Sequence, residues 1–199
     1  MYIGRFLVVG KTPSGESFVA YRVSSRSFPN RVAKIVDNKV YILPKDPEEV
    51  LKNPYISYCC LRVEDKTVVA GNGSHVDFIA EKLIYGKRDA LAYPLLALDY
   101  EKDEYRTPRI ATVVDKEECY LGYIKDDELA IKKVSLNNGE GIYLGVYNSC
   151  KIDESQKIGI PYNKAEEIAK YILNYKFSHP VVCVVAVIYN EYIDIKIAP

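Results

Sequence analysis

The chain has 199 residues, 48% of them apolar and 27% charged, with 27 Lys and Arg balancing 27 Asp and Glu. That balance lacks the basic excess of a general nucleic-acid or anionic-membrane binder, and the ample Val, Ile and Tyr argue against disorder. The length fits one domain, residues 1–199, able to bury a core without a disulfide or metal staple.

Residues 2–9 alternate apolar and polar around Arg5 and read as a strand rather than a signal peptide, and no run approaches a membrane span. Residues 17–25 form its partner across Thr12-Pro13-Ser14-Gly15. Arg31–Val36 and 40–43 flank Asp37-Asn38, and 55–63 and 67–70 flank Glu64-Asp65-Lys66; both pairs read as tight antiparallel hairpins. Val76, Ile79, Ala80, Leu83 and Ile84 then recur at helical spacing over 74–85, with Ser74 and Asp77 in capping-box positions. A second helix over 89–99 carries Pro94, which should kink it or reset its start. Strands resume at Arg109–Val114, 119–124, 129–134 and 142–147. A helix at 164–175 follows, and a hairpin of 181–189 with 192–197 closes the chain. The nearly all-apolar 181–188 reads as an interior strand covered on both faces. Hairpins interrupted by helices make the fold α+β, with two stacked antiparallel sheets and the helices outside.

Five cysteines include the adjacent pair Cys59 and Cys60, without C-x-x-C spacing, and His75 and His179 are the only histidines. No zinc ligand set and no secreted disulfide framework emerges, so a metal-free, cofactor-free protein of the reducing cytoplasm is expected.

Four segments could carry chemistry. Strand parity puts Arg22, Ser24 and Arg26 on one face, either as an anion receptor beside the Pro29-Asn30 turn and Arg31 or as a solvated sheet face. Gly71-Asn72-Gly73-Ser74-His75 opens into a helix, offering free N–H groups to an anion or simply a cap, with a surface histidine in the first turn. The run from Asp99 to Glu104 crowds four carboxylates around one Lys. It is either a source of a general acid or base or a solvated helix end with Tyr100 and Glu104 on one face. In 53–62, parity aligns Tyr58, Cys60 and Arg62, which would polarise the Tyr58 phenol; such tyrosines are also common packing residues.

Together, Tyr-Arg-Val-Ser-Ser-Arg-Ser-Phe-Pro-Asn-Arg (21–31), Asn-Pro-Tyr-Ile (53–56), Asn-Gly-Ser-His (72–75), Asp-Tyr-Glu-Lys-Asp-Glu (99–104) and Thr-Pro-Arg-Ile-Ala (107–111) resemble the archaeal IMP cyclohydrolases. The resemblance implies a four-layered αββα sandwich of the N-terminal-nucleophile-hydrolase type. Met1 and Tyr2 leave it without the Ser, Thr or Cys that such a nucleophile requires. It implies closure of a formylated aminoimidazole carboxamide ribonucleotide to inosine monophosphate, without cofactor, nucleic acid or membrane, in a homo-oligomer of tetramer type. Tyr58, Glu104 and Arg22 are then the expected catalytic residues. Ser24, Arg26, Asn30, Arg31, Asn72, Gly73, Ser74 and Arg109 are the expected substrate contacts. The rival readings are an amidohydrolase using an internal thiol such as Cys60, and a nucleotide-binding protein without chemistry.

Overall fold

The structure, a computed structural model, describes residues 1–52 and 54–199; Asn53 of the 53–56 motif lies outside the described residues. Thirteen strands among them form two antiparallel sheets. The first holds β1 (Phe6–Lys11), β2 (Ser17–Ser24), β10 (Glu140–Gly145), β11 (Lys157–Gly159), β12 (Pro180–Ile188) and β13 (Ile193–Ala198), in the order β11-β10-β1-β2-β12-β13. The second is a meander in chain order: β3 (Arg31–Val36), β4 (Lys39–Pro44), β5 (Tyr58–Glu64), β6 (Thr67–Gly71), β7 (Arg109–Val114), β8 (Cys119–Lys125) and β9 (Glu128–Val134). Short polar turns make β3–β4, β5–β6, β7–β8 and β8–β9 antiparallel hairpins, and Asp37 and Asp65 supply the positive φ that two of them need.

Alternation sorts the side chains into layers. Val19, Tyr21 and Val23 of β2 join Val40, Leu61 and Val68 in the core between the sheets. Phe18 and Ala20 point the other way, onto Ile168 and Ile172 of α4 (Ala165–Leu173). The one-turn α1 (Glu49–Lys52) lies between β4 and β5, and Val69, Ala111 and Val113 cover the outer face of the second sheet beneath α2 (His75–Glu81) and α3 (Lys87–Leu98). The result is the expected α+β sandwich in four layers, αββα. The strand β12 lies inside its sheet and is buried along most of its length.

Several local expectations give way. The first strand begins only at Phe6, because Gly4 at φ +70° turns the chain out of the sheet and a Cβ there would come within 2.7 Å of the Tyr147 ring. The helix over 74–85 splits into α2 and a 3₁₀ turn at Leu83–Tyr85. Ser74 makes no side-chain cap, and Asp77 instead binds Lys39 and Arg62. Pro94 neither ends nor starts α3, which runs through it from Lys87 to Leu98. The three-residue β11 is too short to leave a periodic signal. The acidic run is no helix end: beyond Leu98, Asp99 at φ +57° breaks the backbone into a loop over 99–108.

Candidate active site

At one end of the sandwich, where β1, β3, β5 and β7 begin and β2 ends, a cleft of about 450 Å³ opens between the sheets. That volume lies within the range of small-molecule sites. The Gly4 turn brings Arg5 into its wall, and the 99–108 loop supplies Glu101, Asp103, Glu104 and Thr107. The end of β2 supplies Ser24, followed by Ser25, Ser27 and Arg31.

Arg5 is the centre of the buried charge. One guanidinium nitrogen donates to Glu101 Oε2 at 3.0 Å and another to the Asn72 carbonyl at 3.1 Å. Its carbon lies 6.0 Å from the centre of the Tyr58 ring. Burial disfavours the Arg5 cation, but Glu101, then the Tyr58 and Tyr21 phenols, raise its pKa well above the ordinary arginine value. Arg5 therefore keeps its charge out of water, where an unpaired charge would be costly. Glu101 is 1% exposed, and its second oxygen, Oε1, has no partner among the described residues.

The loop is locked by short-range bonds. Asp103 accepts from the Thr107 amide at 2.8 Å and from its hydroxyl at 2.7 Å. With its proton so committed, Thr107 Oγ1 accepts from the Tyr147 phenol at 3.1 Å. The Tyr147 ring stacks on Tyr2 with centroids 6.0 Å apart, and Arg26 lies 4.5 Å above Tyr2 on the outside. Glu104 is exposed in the cleft wall and takes a hydrogen bond from Tyr105, whose pKa rises in consequence.

Apart from Arg22, the expected site residues fall into three groups. Ser24, Arg31 and Glu104 line the cleft. Arg31 is 6% exposed, donates through Nε to the Phe28 carbonyl and pairs with no carboxylate among the described residues. Tyr58, Asn72, Gly73 and Arg109 stand behind the wall. Asn72 is a clamp, its side chain bonded to the Pro108 carbonyl and the Ile110 amide. Gly73 leaves room for Arg109, whose Nη1 would lie 3.0 Å from a Cβ at that position. Arg109 itself donates to the Asp99 carbonyl at 2.7 Å, and burial lowers its pKa. Arg26, Asn30 and Ser74 are exposed outside the lining.

Arg22 corrects the shared-face expectation. Its parity is that of Phe18 and Ala20, so it points away from the core between the sheets. Its guanidinium donates to the carbonyls of Ile172, Tyr175 and Phe177 at the end of α4. Ile172 lies in the last turn of α4, and Tyr175 and Phe177 in the segment just beyond it, so Arg22 anchors the chain where the helix ends. Fully buried there, Arg22 has its pKa pulled down to about 10 by burial. Arg22, Ser24 and Arg26 thus form no common receptor.

A second parity expectation fails at β5. The register shift against β4 between Val40 and Tyr41 puts both Cys60 and Leu61 on the inner side and returns Arg62 to the outer face, beside Asp77. The neighbour of Tyr58 is instead Tyr21, with the hydroxyls 2.7 Å apart. Burial and then Tyr58 push the Tyr21 pKa well above 10. Cys60 lies in the same core, and burial raises its pKa well above the usual thiol value, contrary to what a thiolate nucleophile needs. His75, expected at the surface, is fully buried with Nε2 3.0 Å from the Ile110 carbonyl. Burial and then the Arg109 charge pull its pKa down to about 3, so the ring is neutral. No cluster of three or more His, Cys, Asp or Glu side chains suited to a metal occurs among the described residues.

Arg5, Glu101, Tyr21 and Tyr147 are the site groups that sequence reasoning missed. A charge inside an apolar alternation was the signal for Arg5; Tyr147 had none, since the turn that carries it read as strand.

Residues 2–192 match the model of a family described as IMP cyclohydrolase-like protein. The chain is 64% identical over 197 residues to the IMP cyclohydrolase of Methanocaldococcus jannaschii, covering 98% of each. It is 56% identical over 185 residues to that of Methanococcus maripaludis, covering 91% of this chain and 92% of the relative. Among solved structures, an N-acylethanolamine-hydrolyzing acid amidase ortholog of Caenorhabditis elegans aligns with a TM-score of 0.48 at 12% identity, covering 98% of this chain and 100% of that one.

Proposed function

Because the chain belongs to the IMP cyclohydrolase-like family, we propose that it closes 5-formamidoimidazole-4-carboxamide ribonucleotide to inosine monophosphate with loss of water. In this reaction the substrate's carboxamide nitrogen attacks its own formyl carbon. The carboxamide nitrogen and the formamido nitrogen each give up one proton, the formyl oxygen takes both and departs as water as its bond to carbon breaks, and no enzyme nucleophile or cofactor enters. What the protein must supply is a folded substrate, a proton acceptor and donors to the developing oxyanion.

The observation that carries this reading is the division of the cleft into two chemistries. Arg31, without a carboxylate partner among the described residues, stands with the hydroxyls of Ser24, Ser25 and Ser27, and suits a 5′-phosphate. Glu104, Glu101 and the charged Arg5 suit proton transfer and oxyanion stabilisation. Glu104 is the acid–base group in this scheme because it alone of the first two is open to solvent and free of a cation among the described residues. Arg5 is the oxyanion donor, with the Tyr58–Tyr21 pair as its packing support, and Arg22 takes no chemical part. We further propose a single domain over 1–199, a cytoplasmic location and a tetramer-type homo-oligomer.

The test is an absorbance assay of ring closure with the purified protein after exhaustive chelation. Turnover at the untreated rate is expected. A folded protein that binds inosine monophosphate without turnover would support the non-catalytic nucleotide-binding reading instead, and activity restored by one divalent ion would demand a metal step.

A further inference from the structure

The helices on the two outer faces are built differently. In α4, Ile168, Ala169 and Ile172 face the sheet while Glu166, Glu167 and Lys170 face water, the usual division of a surface helix. In α3, Ala90, Leu91, Pro94 and Leu95 are buried, but the far side is apolar as well: no charged residue occurs from Ala90 to Leu98. Tyr93 is 53% exposed and Leu96 66%, with Ala97 exposed beside them. The 3₁₀ turn before the helix extends this face with Ile84, 86% exposed, and Tyr85, 59% exposed. The Tyr85 and Tyr93 rings meet edge to face, with centroids 6.0 Å apart. A helix that is apolar all round belongs in an interior, and this side of α3 lies outside the cleft lining.

Area and charge select what covers it. At roughly 200 Å² for a large side chain, Ile84, Tyr85, Tyr93 and Leu96 leave on the order of 500 Å² in water. A homodimer interface of standard size takes about 800 Å² from each copy, about two-thirds of it apolar, so this face has the size that one copy must offer. Its ends add no net charge, because Arg88 pairs with Asp89 at 2.7 Å and Lys102 with Asp99 at 2.5 Å. The whole chain is neutral too. Nothing there favours an acidic or a basic partner, and two copies meet without repulsion.

We propose that the outer face of α3, with the turn at Leu83–Tyr85, is the contact between two copies of this chain, laid antiparallel across a two-fold axis. Antiparallel alignment puts the positive end of each helix dipole beside the negative end of the other. Tyr93 then packs on the partner's Leu96, and Ala92 on the partner's Ala97. The same patch is used on both copies, so the contact closes on itself and does not propagate into a filament. The inference names a surface for the homo-oligomer proposed above and does not depend on the chemistry of the cleft.

Sedimentation equilibrium over a wide range of concentration should compare the wild type with Leu96→Glu and Tyr93→Lys, each checked by a thermal melt. The wild type should be a dimer or a higher even oligomer. Each folded variant should fall to species of half that mass, its association weakened more than about a hundredfold by charges placed in an apolar contact. Tyrosine labelling of the wild-type oligomer, read by mass spectrometry, gives a second measurement that needs no variant. Tyr85 and Tyr93 should lose most of the reactivity they show in the urea-unfolded chain. A monomeric wild type overturns this proposal and the homo-oligomer together, and leaves the face to an unlike partner. An oligomer whose mass is unchanged in the folded variants overturns this proposal alone. Should neither variant fold, full labelling of Tyr85 and Tyr93 in the wild-type oligomer overturns it.

Discussion

The hydroxyls of Tyr21 and Tyr58 meet at 2.7 Å across the core, one from each sheet, with both side chains shielded from water. Removing either oxygen leaves the other buried and unpaired, at about 1–3 kcal/mol. Tyr21→Phe and Tyr58→Phe should each destabilise by that order in denaturant melts, and the double variant by clearly less than the sum. Because both phenols support Arg5, the two single variants should also slow ring closure to a similar degree. A large rate loss for Tyr58→Phe alone would assign Tyr58 its own contact with the substrate.

Glu104→Gln should lower kcat by about 10²–10⁴, the range for a lost acid–base group, with substrate affinity little changed. The residue is exposed and takes no part in the core, so the melt should stay near wild type. A folded variant with near-full single-turnover rates would move the proton to another carboxylate of the loop.

For the phosphate, Arg31→Ala should weaken binding of the ribonucleotide about ten- to a hundredfold more than binding of the nucleoside. Arg26→Ala should have a smaller effect of this kind, since Arg26 rests on the Tyr2 ring outside the lining. The reverse order, measured by titration calorimetry, would put the phosphate at the outer rim.

How far the sequence spoke depends on what each residue's neighbours are. The meander, α4 and the interior strand β12 were legible because tight turns and apolar periodicity are local properties. That Glu104 and Arg31 meet in one cleft was suggested by the strings that resemble a family. Arg22 and Arg62 were misread for one reason: parity assigns a face only within an unbroken strand. It does not reveal that Arg22's face meets the end of α4 instead of the cleft, or that a bulge reverses Arg62. Arg5 and Glu101 lie 96 positions apart in the chain, and neither implies the other until the sheets are stacked.

Arg22→Leu follows from the corrected position. Losing three hydrogen bonds to carbonyls at the end of α4 should lower Tm and destabilise by a few kcal/mol, at about 1 kcal/mol each. At temperatures where the variant is folded, kcat should be close to wild type. A folded variant with a 10²-fold lower rate would return Arg22 to the chemistry.

His75 predicts a pH dependence. Its pKa of about 3 in the folded state lies below the ordinary 6.5, so the unfolded chain binds more protons between those values. Stability contributed by the neutral ring is fully present above about pH 6.5 and declines as pH falls toward 3, by at most about 1.4 kcal/mol per pH unit. His75→Gln should flatten that part of the stability–pH curve in urea melts. An equally steep curve in the variant would assign the acid sensitivity to other groups.

The two sheets also differ in how they can be assembled. Every neighbouring pair in the seven-stranded sheet is consecutive in the chain, so its pairings are local, the longest connection being the one from Gly71 to Arg109 that carries α2 and α3. The six-stranded sheet joins β2 to β12, more than 150 positions later, and β1 to β10. As the chain leaves the ribosome, the meander is complete once residue 134 has emerged, while β2 still presents an unpaired edge that awaits residue 180. The cleft, which needs Tyr147 beside Tyr2, is therefore a late product of synthesis. Pulse-labelled hydrogen exchange should show amides of β4–β8 protected before those of β2 and β12.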